Sequence, residues 1–266
     1  ETSDLAIEAI MALKNEYDFD MDKIQALVVI TQNPDSRGLP HTAAIIHDKL
    51  SMKNEVAAFD VSLGCSGYVY GLSIIKGLME EAGLSNGILV TCDPYSKVIN
   101  RESPDCSLLF GDASSATWLS DKGDWVFDKP LLSTNGSGQR DLYVDQNNRL
   151  NMNGRRIFNF AKKEVPKQID QILKNHNLDI NQVDLFCLHL GSKAIIDEIV
   201  KIYPKLKNKF INDIRHTGNT VSSSIPILLK KHVLQKNVKY VLISGFGVGL
   251  SWGTNIIINK NYDRKK

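Results

Sequence analysis

Cysteine is scarce in this sequence, and its four copies stand apart from one another. Because no C-x-x-C pair is present, the pattern argues against a zinc site and against a thioredoxin-like motif. Three of the cysteines lie in apolar stretches, which predicts buried, reduced thiols and a cytoplasmic location. No apolar run approaches the roughly 20 residues that a membrane-spanning helix needs. We therefore expect neither a metal nor a membrane partner.

The sequence also lacks a strong excess of either charge. Its 32 basic and 30 acidic residues leave a formal net charge of +2, too little for the basic field that attracts nucleic acids. A weakly acidic protein partner is compatible with this small surplus. The 266 residues, 42% of them hydrophobic, can bury a sizeable core as one large domain or two fused halves. Because the sequence opens with ETSDLAIEAI and not with Met, we expect the natural chain to begin further upstream.

Apolar periodicity predicts an alternation of helices and strands. Short β-branched runs, such as ALVVIT at residues 26–31, predict buried strands. The alternation indicates a layered α/β architecture with parallel strands. The predicted strands are residues 26–31, 56–61, 87–91, 115–119, 184–190, 240–244 and 252–258. The predicted helices are residues 4–15, 41–50, 66–82, 155–175, 192–202 and 220–235, with a polar loop at 134–150.

The two halves of the sequence show similar patterns. Val28 and Cys65 are 37 positions apart, and Phe186 and Asn219 are 33 positions apart. An internal duplication with pseudo-twofold symmetry explains this similarity, but ordinary repetition of βα units explains it equally well. A duplication would place Cys65 and Asn219 at equivalent helix starts, facing each other across the axis. The predicted halves are residues 1–122, with Cys65, and residues 123–266, with His189 and Asn219.

Cys65 is the strongest candidate for a nucleophile. It lies in the segment DVSLGCSG, residues 60–67, where a predicted strand ends and a predicted helix begins. The positive end of a helix dipole lowers the pKa of a thiol and favours the thiolate. Gly64 and Gly67 allow close approach of backbone and ligand, and the amides of such a turn can hold an oxyanion. The alternative is a small buried cysteine without a chemical role.

Three further segments could contribute to a site. His189 follows a predicted strand, at the edge where α/β proteins bind ligands, although a hydrogen-bonded core histidine is an equal alternative. Asn219 lies in the segment HTGNTVSSS, where a helix cap is the simpler interpretation. Residues 245–253 form a glycine-rich loop, GFGVGLSWG, that is followed by a strand. A dinucleotide-binding loop is followed by a helix, so a backbone amide that holds an oxyanion fits this loop better.

In this order and context, Cys65, His189 and Asn219 resemble the catalytic residues of β-ketoacyl-acyl-carrier-protein synthase III. The resemblance extends over nearly the whole chain. It implies a thiolase-like αβαβα fold of two pseudo-twofold-related halves, with an opening strand and helix expected before residue 1. The further matching segments are FGD at residues 110–112, M-x-G at 152–154, GNT at 218–220 and the closing GFGVGLSWG.

The resemblance implies a ping-pong decarboxylative Claisen condensation. Cys65 would take an acyl group from acyl-CoA, and the amides of Cys65 and Gly247 would hold the oxyanion. His189 and Asn219 would then stabilise the enolate of a malonyl group delivered on acyl carrier protein. The product would be a 3-oxoacyl thioester of fatty-acid or specialised polyketide-type biosynthesis. Coenzyme A enters this scheme as part of the substrate, and no cofactor is expected.

The resemblance also suggests residues for binding and assembly. Leu39 matches a position that closes the acyl pocket of the partner in a homodimer, whose interface would form near residues 56–61. The segment after the histidine, Leu190-Gly-Ser192, departs from the Q-A-N of the family, and FGDASSA at 110–116 departs from FGDGAGA. The family's basic docking position is Ala194 here. The substrate-binding candidates are Met152, Gly154 and Phe158, and the carrier-docking candidates are Arg155, Arg156, Lys162, Lys163 and Lys193.

Other functions remain open at this stage. A thiolase-fold acyltransferase could instead form an ester or an amide, or the chain could be a non-catalytic partner subunit, although such subunits usually lose the nucleophile. A relative of hydroxymethylglutaryl-CoA synthase needs a catalytic glutamate, for which Glu55, Glu80 and Glu81 are poorly placed. A thiol hydrolase of unrelated fold would not explain the similar halves.

Overall fold

The computed structural model describes residues 1–100, 104–234 and 237–262 of the chain. The first half contains helices α1 (Thr2–Tyr17), α2 (Thr42–Lys49), α3 (Gly67–Ala82) and α4 (Pro104–Ser107). Its strands are β1 (Ala26–Ile30), β2 (Ala57–Val61), β3 (Asn86–Cys92) and β4 (Ser114–Ser120). The connecting region contains β5 (Trp125–Phe127), β6 (Leu131–Thr134), β7 (Leu142–Val144) and β8 (Leu150–Met152). The second half contains α5 (Gly154–Asn175), β9 (Leu185–Leu188), α6 (Lys193–Ile202), α7 (Ile214–Thr217), α8 (Ser224–His232), β10 (Tyr240–Gly247) and β11 (Ser251–Asn259).

The first sheet has the strand order β2–β1–β3–β4. The three strands β1, β2 and β3 run parallel, and β4 is antiparallel to β3. Strand β1 is buried along its whole length, as its run of Leu, Val and Ile requires. The prediction of parallel strands is therefore wrong for β4, and in the second sheet it is wrong for β11, which is antiparallel to β10.

The second sheet repeats this order. Strand β9 is parallel to β10, and β11 is antiparallel to β10. Phe210 forms a single parallel bridge to Phe186 on the outer side of β9, in the position that β2 has in the first sheet. The order Phe210–β9–β10–β11 thus matches β2–β1–β3–β4, as expected of two pseudo-twofold-related halves. Strands β5 and β6 extend the sheet by pairing with β11.

The helices complete a five-layer arrangement. Helices α1 and α2 cover the outer face of the first sheet, and α5 packs on β10 and β11 of the second. Helices α3 and α8 contact strands of both sheets, so they form the central layer. This αβαβα arrangement confirms the predicted fold class. Within the described residues, none of the helices carries an apolar stretch long enough to span a bilayer.

The helix predicted after Asn219 and the predicted polar loop also differ from the sequence-based expectation. The helix predicted at 220–235 begins as a 3-10 turn at Val221–Ser223, and α8 ends at His232; residues 235–236 lie outside the described part. The region predicted as a polar loop contains the hairpin of β7 and β8. These strands have three residues each, too few to give an alternating signal in the sequence.

Candidate active site

Cys65 lies in the tight turn between β2 and α3 and is 3% exposed. Closely packed glycines lie on both sides of it. A β-carbon added at Gly64 would lie 2.3 Å from Oε1 of Gln32, and one at Gly67 would lie 2.3 Å from Cγ2 of Ile30. The two glycines therefore let the turn pack directly against the end of β1, which fixes Cys65 at the carboxyl edge of the first sheet.

The second sheet reaches Cys65 through the end of β10. A β-carbon on Gly247 would lie 2.7 Å from both Cβ and Sγ of Cys65. One on Gly245 would lie 2.6 Å from the carbonyl oxygen of Cys65. Only glycine leaves space for this contact, so the predicted neighbour Gly247 does lie against the thiol.

The pKa of Cys65 departs from the sequence-based expectation. Burial raises the pKa of this thiol to about 12, and the charge of Asp93 adds to the increase. A hydrogen bond with the backbone of Val248 acts in the opposite direction but does not outweigh burial. The expectation of a lowered pKa at the helix start is wrong, because burial disfavours the charged thiolate and raises the pKa instead. The resting group is a neutral thiol.

His189 directly follows β9 and is almost fully buried. Its backbone N–H donates to the carbonyl oxygen of Ser244 at 2.8 Å, and its ring lies edge-on to Phe246, with centroids 5.5 Å apart. Burial lowers the pKa of the imidazole to about 3, so the ring is neutral at physiological pH. A hydrogen bond with the backbone of Val221 offsets part of this decrease in the pKa. Among the described residues, Nδ1 of the ring has no hydrogen-bond partner.

Asn219 approaches His189 through Gly191. Nδ2 of Asn219 donates to the carbonyl oxygen of Gly191 at 3.2 Å. A β-carbon on Gly191 would lie 3.5 Å from Nε2 of His189. Oδ1 of Asn219 accepts from the backbone N–H of Val221 at 2.9 Å. Asn219 is not a helix cap, because the 3-10 turn that follows is preceded by Thr220 and has no side-chain cap. The carboxamide is therefore held through both its oxygen and its nitrogen, and the nitrogen's acceptor, Gly191, lies two residues after His189.

The three candidates come together around the end of β10. Gly245 and Gly247 of β10 lie against Cys65, and Phe246 between them packs on the ring of His189. Asn219 donates to the carbonyl oxygen of Gly191, two residues after His189. Cys65 precedes α3 and Asn219 precedes the turn into α8, the two helices of the central layer. The equivalence of Cys65 and Asn219 predicted from the duplication agrees with these positions.

The other candidates lie further out. Met152 and Phe158 are half-buried and pack on the main core, and Gly154 is exposed at the start of α5. Leu39, in the loop before α2, is 87% exposed. A surface cavity of about 460 Å³ opens beside Leu250 and Trp252, and the three central candidates do not line it. Substrate contacts of Met152, Gly154, Phe158 and Leu39 stay predictions.

The carrier-docking candidates form an exposed face on α5 and α6, and most already have acidic neighbours. Arg155 is exposed in the first turn of α5. The ion pairs of the others are Arg156 with Asp141, Lys162 with Glu198, Lys163 with Glu164 and Lys193 with Asp197.

The sequence interpretation missed Asp93, a buried carboxylate near Cys65. It follows β3 directly, so its position at the carboxyl end of a parallel strand was an available signal. Oδ1 accepts from the backbone N–H of Gln32 at 2.8 Å, and Oδ2 accepts from the hydroxyl of Ser222 at 2.5 Å. Burial raises the pKa of Asp93 to about 6.

Five layers formed by two related halves, with a cysteine from one half against the end of β10 and a histidine and an asparagine from the other half linked at Gly191, define a condensing enzyme of the thiolase fold. Models of the 3-oxoacyl-[acyl-carrier-protein] synthase III family match residues 59–136, and models of its C-terminal region match residues 173–258. The chain belongs to the β-ketoacyl-acyl-carrier-protein synthase III family, and it is therefore an acyltransferase of the condensing type.

Known proteins of this family align with nearly the full length of the chain. A β-ketoacyl-acyl-carrier-protein synthase III of Clostridium perfringens is 33% identical over 274 residues, covering 96% of this chain and 84% of that protein. The Lactococcus lactis subsp. cremoris protein of the same name is 33% identical over 280 residues, with the same coverage. A crystal structure of a 3-oxoacyl-(acyl-carrier-protein) synthase III superposes with a TM-score of 0.89 at 30% identity, covering 97% of this chain and 85% of that one.

Proposed function

We propose that this chain joins an acyl group, carried on Cys65 from acyl-CoA, to a malonyl group on acyl carrier protein. The observation that supports this most directly is the contact of the β10 glycines with Cys65, next to the meeting of His189 and Asn219 at Gly191. One half of the fold thus supplies a nucleophile, and the other supplies neutral hydrogen-bond donors. This is the division of labour that a two-step condensation needs.

In the first step, the sulfur of Cys65 attacks the thioester carbonyl of acyl-CoA. A carbon–sulfur bond forms to Cys65, the bond to the coenzyme A sulfur breaks, and the thiol proton leaves with the coenzyme A thiolate. The backbone amides of Cys65 and Gly247 are suited to hold the oxyanion of the tetrahedral intermediate. Because the resting thiol is neutral, loss of its proton belongs to the attack itself.

In the second step, the malonyl thioester loses carbon dioxide. Cleavage of its carbon–carbon bond leaves an enolate, whose oxygen accepts hydrogen bonds from Nε2 of His189 and Nδ2 of Asn219. The neutral state of His189, with a pKa of about 3, suits a donor that is not consumed as an acid. The enolate carbon then attacks the acyl carbon on Cys65, and the cysteine sulfur leaves. Hydrogen bonds of this kind are stronger in a buried site.

The acyl-enzyme can be tested by intact-mass measurement. The chain is incubated with a panel of acyl-CoAs, with Cys65→Ser as the matched control. We expect an adduct of one acyl group on the wild type and none on the variant. An adduct that persists in Cys65→Ser, or no adduct with any acyl-CoA, would contradict the proposed nucleophile.

Malonyl acyl carrier protein is then added to the acylated chain. Release of carbon dioxide together with a 3-oxoacyl product supports condensation, whereas transfer of the acyl group without carbon dioxide identifies ester or amide formation. For His189→Ala and Asn219→Ala we expect carbon dioxide release to fall by about 10²–10³-fold, the usual effect of losing one such donor. Acylation of Cys65 should be affected less.

The proposed assembly is a homodimer in a reducing compartment such as the cytoplasm. Strand β2 is the outermost strand of the first sheet, and its five residues are all half-buried. An edge strand of this kind is a template for pairing with a second chain. The exposed Leu39 lies in the same region of the chain and could reach the partner's acyl pocket. All four cysteines are buried, and none forms a disulfide within the part of the chain that the structure describes, which fits a reducing environment.

A further inference from the structure

Asp93 connects the two halves of the fold at the candidate site. It is fully buried, and its two oxygens accept hydrogen bonds from different halves. Gln32, whose backbone N–H donates to Oδ1, follows β1 of the first half. Ser222, whose hydroxyl donates to Oδ2, lies in the 3-10 turn of the second half. A carboxylate that bridges two such segments fixes their separation.

The second-half side of this bridge leads to Asn219. Ser222 is adjacent to Val221, whose backbone N–H holds Oδ1 of Asn219. Val221 has a φ of +51°, a conformation that is strained for a β-branched residue and persists only where the surroundings impose it. The Ser222–Asp93 hydrogen bond anchors the residue that directly follows Val221 and so restrains this turn. The direction of the Asn219 carboxamide therefore depends on Asp93.

The first-half side leads to Cys65. Oε1 of Gln32 occupies the space beside Gly64, where a β-carbon would lie only 2.3 Å away. The hydroxyl of Tyr95 donates to the same oxygen at 3.3 Å. Asp93 thus holds the segment against which the nucleophile turn packs.

We propose that Asp93 is a positioning residue for the condensation step, one that holds the Asn219 turn at a fixed place relative to the nucleophile turn. The proposal rests on the proposed function, since it assigns the carboxylate a part in enolate stabilisation through Asn219. It adds to the site a residue that need not touch the substrate.

The protonation state of Asp93 provides a second readout. Its pKa of about 6 means that the carboxylate gains a proton as the pH falls through this value. Hydrogen bonds to a charged acceptor are about twice as strong as neutral ones, so the bridge weakens below pH 6. The titratable groups near Asp93 are Cys65 and Cys92, each with a pKa raised by burial to about 12, and Tyr95, whose pKa burial raises well above its usual value. His189 in the same site has a pKa of about 3. None of these groups ionises near pH 6.

The test uses the full chain with Asp93→Asn, which keeps the shape and removes the charge. Acylation of Cys65 by acetyl-CoA is followed by intact mass, and decarboxylation of malonyl acyl carrier protein is followed between pH 5 and 8. We expect acylation at close to the wild-type rate, because removal of a negative charge near the thiol does not disfavour the thiolate. Decarboxylation should slow by about tenfold, and its rise through pH 6 should disappear. Ser222→Ala should show the same selective loss.

The matched control is Asp184→Asn, which removes a carboxylate that accepts from the backbone N–H groups of Lys239 and Tyr240, at the opposite end of β10. It should lower thermal stability without changing the ratio of the two rates. If Asp93→Asn slows both steps equally, or leaves decarboxylation and its pH profile unchanged, the proposal is wrong.

Hydrogen exchange separates this outcome from a failure of the proposed function. In Asp93→Asn, the backbone amide of Val221 should exchange faster than in the wild type, whether or not the chain condenses acyl groups. Unchanged exchange at Val221 would overturn the positioning role, whereas wild type that neither acylates nor releases carbon dioxide would overturn only the proposed reaction.

Discussion

At the scale of single residues, burial determines the chemistry of the candidate site. Cys65 has a raised pKa of about 12 and His189 a lowered pKa of about 3. Both shifts favour the neutral form, because a buried site penalises charge. Because Cys65 and His189 are both neutral, they do not form an ion pair that a substrate would have to break.

The raised thiol pKa predicts the pH dependence of alkylation. Because iodoacetamide reacts with the thiolate, Cys65 should react slowly at neutral pH and faster as the pH rises toward its pKa. Mass spectrometry of the modified peptide measures this rate, with Cys65→Ser giving the background of the other cysteines. A rate that is already constant below pH 8 would show that the thiolate forms readily and that burial does not dominate.

A methyl group on Gly247 should block the site. In Gly247→Ala, the new β-carbon would have to lie 2.7 Å from Sγ of Cys65, so acylation should fall by about 100-fold, as a displacement of about 1 Å at a reacting atom can cause. Stability should fall by about 1–3 kcal/mol from overpacking. Acyl-adduct kinetics and urea unfolding measure the two effects.

Gly77→Ala is the control for this substitution. The added β-carbon on Gly77 of α3 meets no atom within 4 Å, so helix propensity should stabilise the chain by about 0.5–1 kcal/mol. Equal loss of acylation in both variants would contradict the steric explanation.

At the scale of elements, α5 and α6 present the basic face that we propose for the carrier protein. The best residue for a test is Arg155, because it is exposed in the first turn of α5. An acidic residue is favourable at a helix N-terminus, so reversing this charge should not harm folding.

Arg155→Glu should raise the KM for malonyl acyl carrier protein and leave acylation by acyl-CoA unchanged. The increase should diminish as salt is added, because salt screens exposed charges. The control is Lys122→Glu, which makes the same change in net charge. Lys122 lies away from this face, on the exposed turn after β4. If both variants raise KM equally, docking depends on overall charge and not on α5.

At the scale of the whole molecule, the sequence predicted those parts whose signals are local. The β-branched run of β1 and the apolar spacing of α3 placed these elements within a residue or two. Strands β5 and β6 were missed because they exist through pairing with the distant β11. The Cys65 pKa and the role of Asp93 also depend on contacts between the halves, which no local pattern contains.

The edge of the first sheet predicts how two copies assemble. The N–H of Ala57 donates inward to Gln25 at 3.0 Å, so the alternation of a strand directs the N–H of Ala58 outward. Ala58→Pro should therefore remove a dimer hydrogen bond and reduce the mass in solution from twice 29.7 kDa toward 29.7 kDa. Analytical ultracentrifugation measures the mass.

Ala57→Pro is the matched substitution, since it removes the inward hydrogen bond. It should destabilise the monomer itself, seen as a lower midpoint of urea unfolding. A wild type that sediments as a monomer, or an Ala58→Pro dimer as tight as the wild type, would contradict pairing through β2.

The bridge at Phe210 has a consequence for the size of the assembly. Where the first sheet ends in a five-residue strand, the second ends in one bridged residue whose ring stacks on Phe186 at 4.3 Å. On this side of the two sheets, the duplicated fold thus offers a neighbouring copy a full edge strand in the first half and a single bridged residue in the second. If two copies pair symmetrically through β2, as proposed, each covers the edge of the other, and growth of the assembly stops at two chains instead of continuing into filaments.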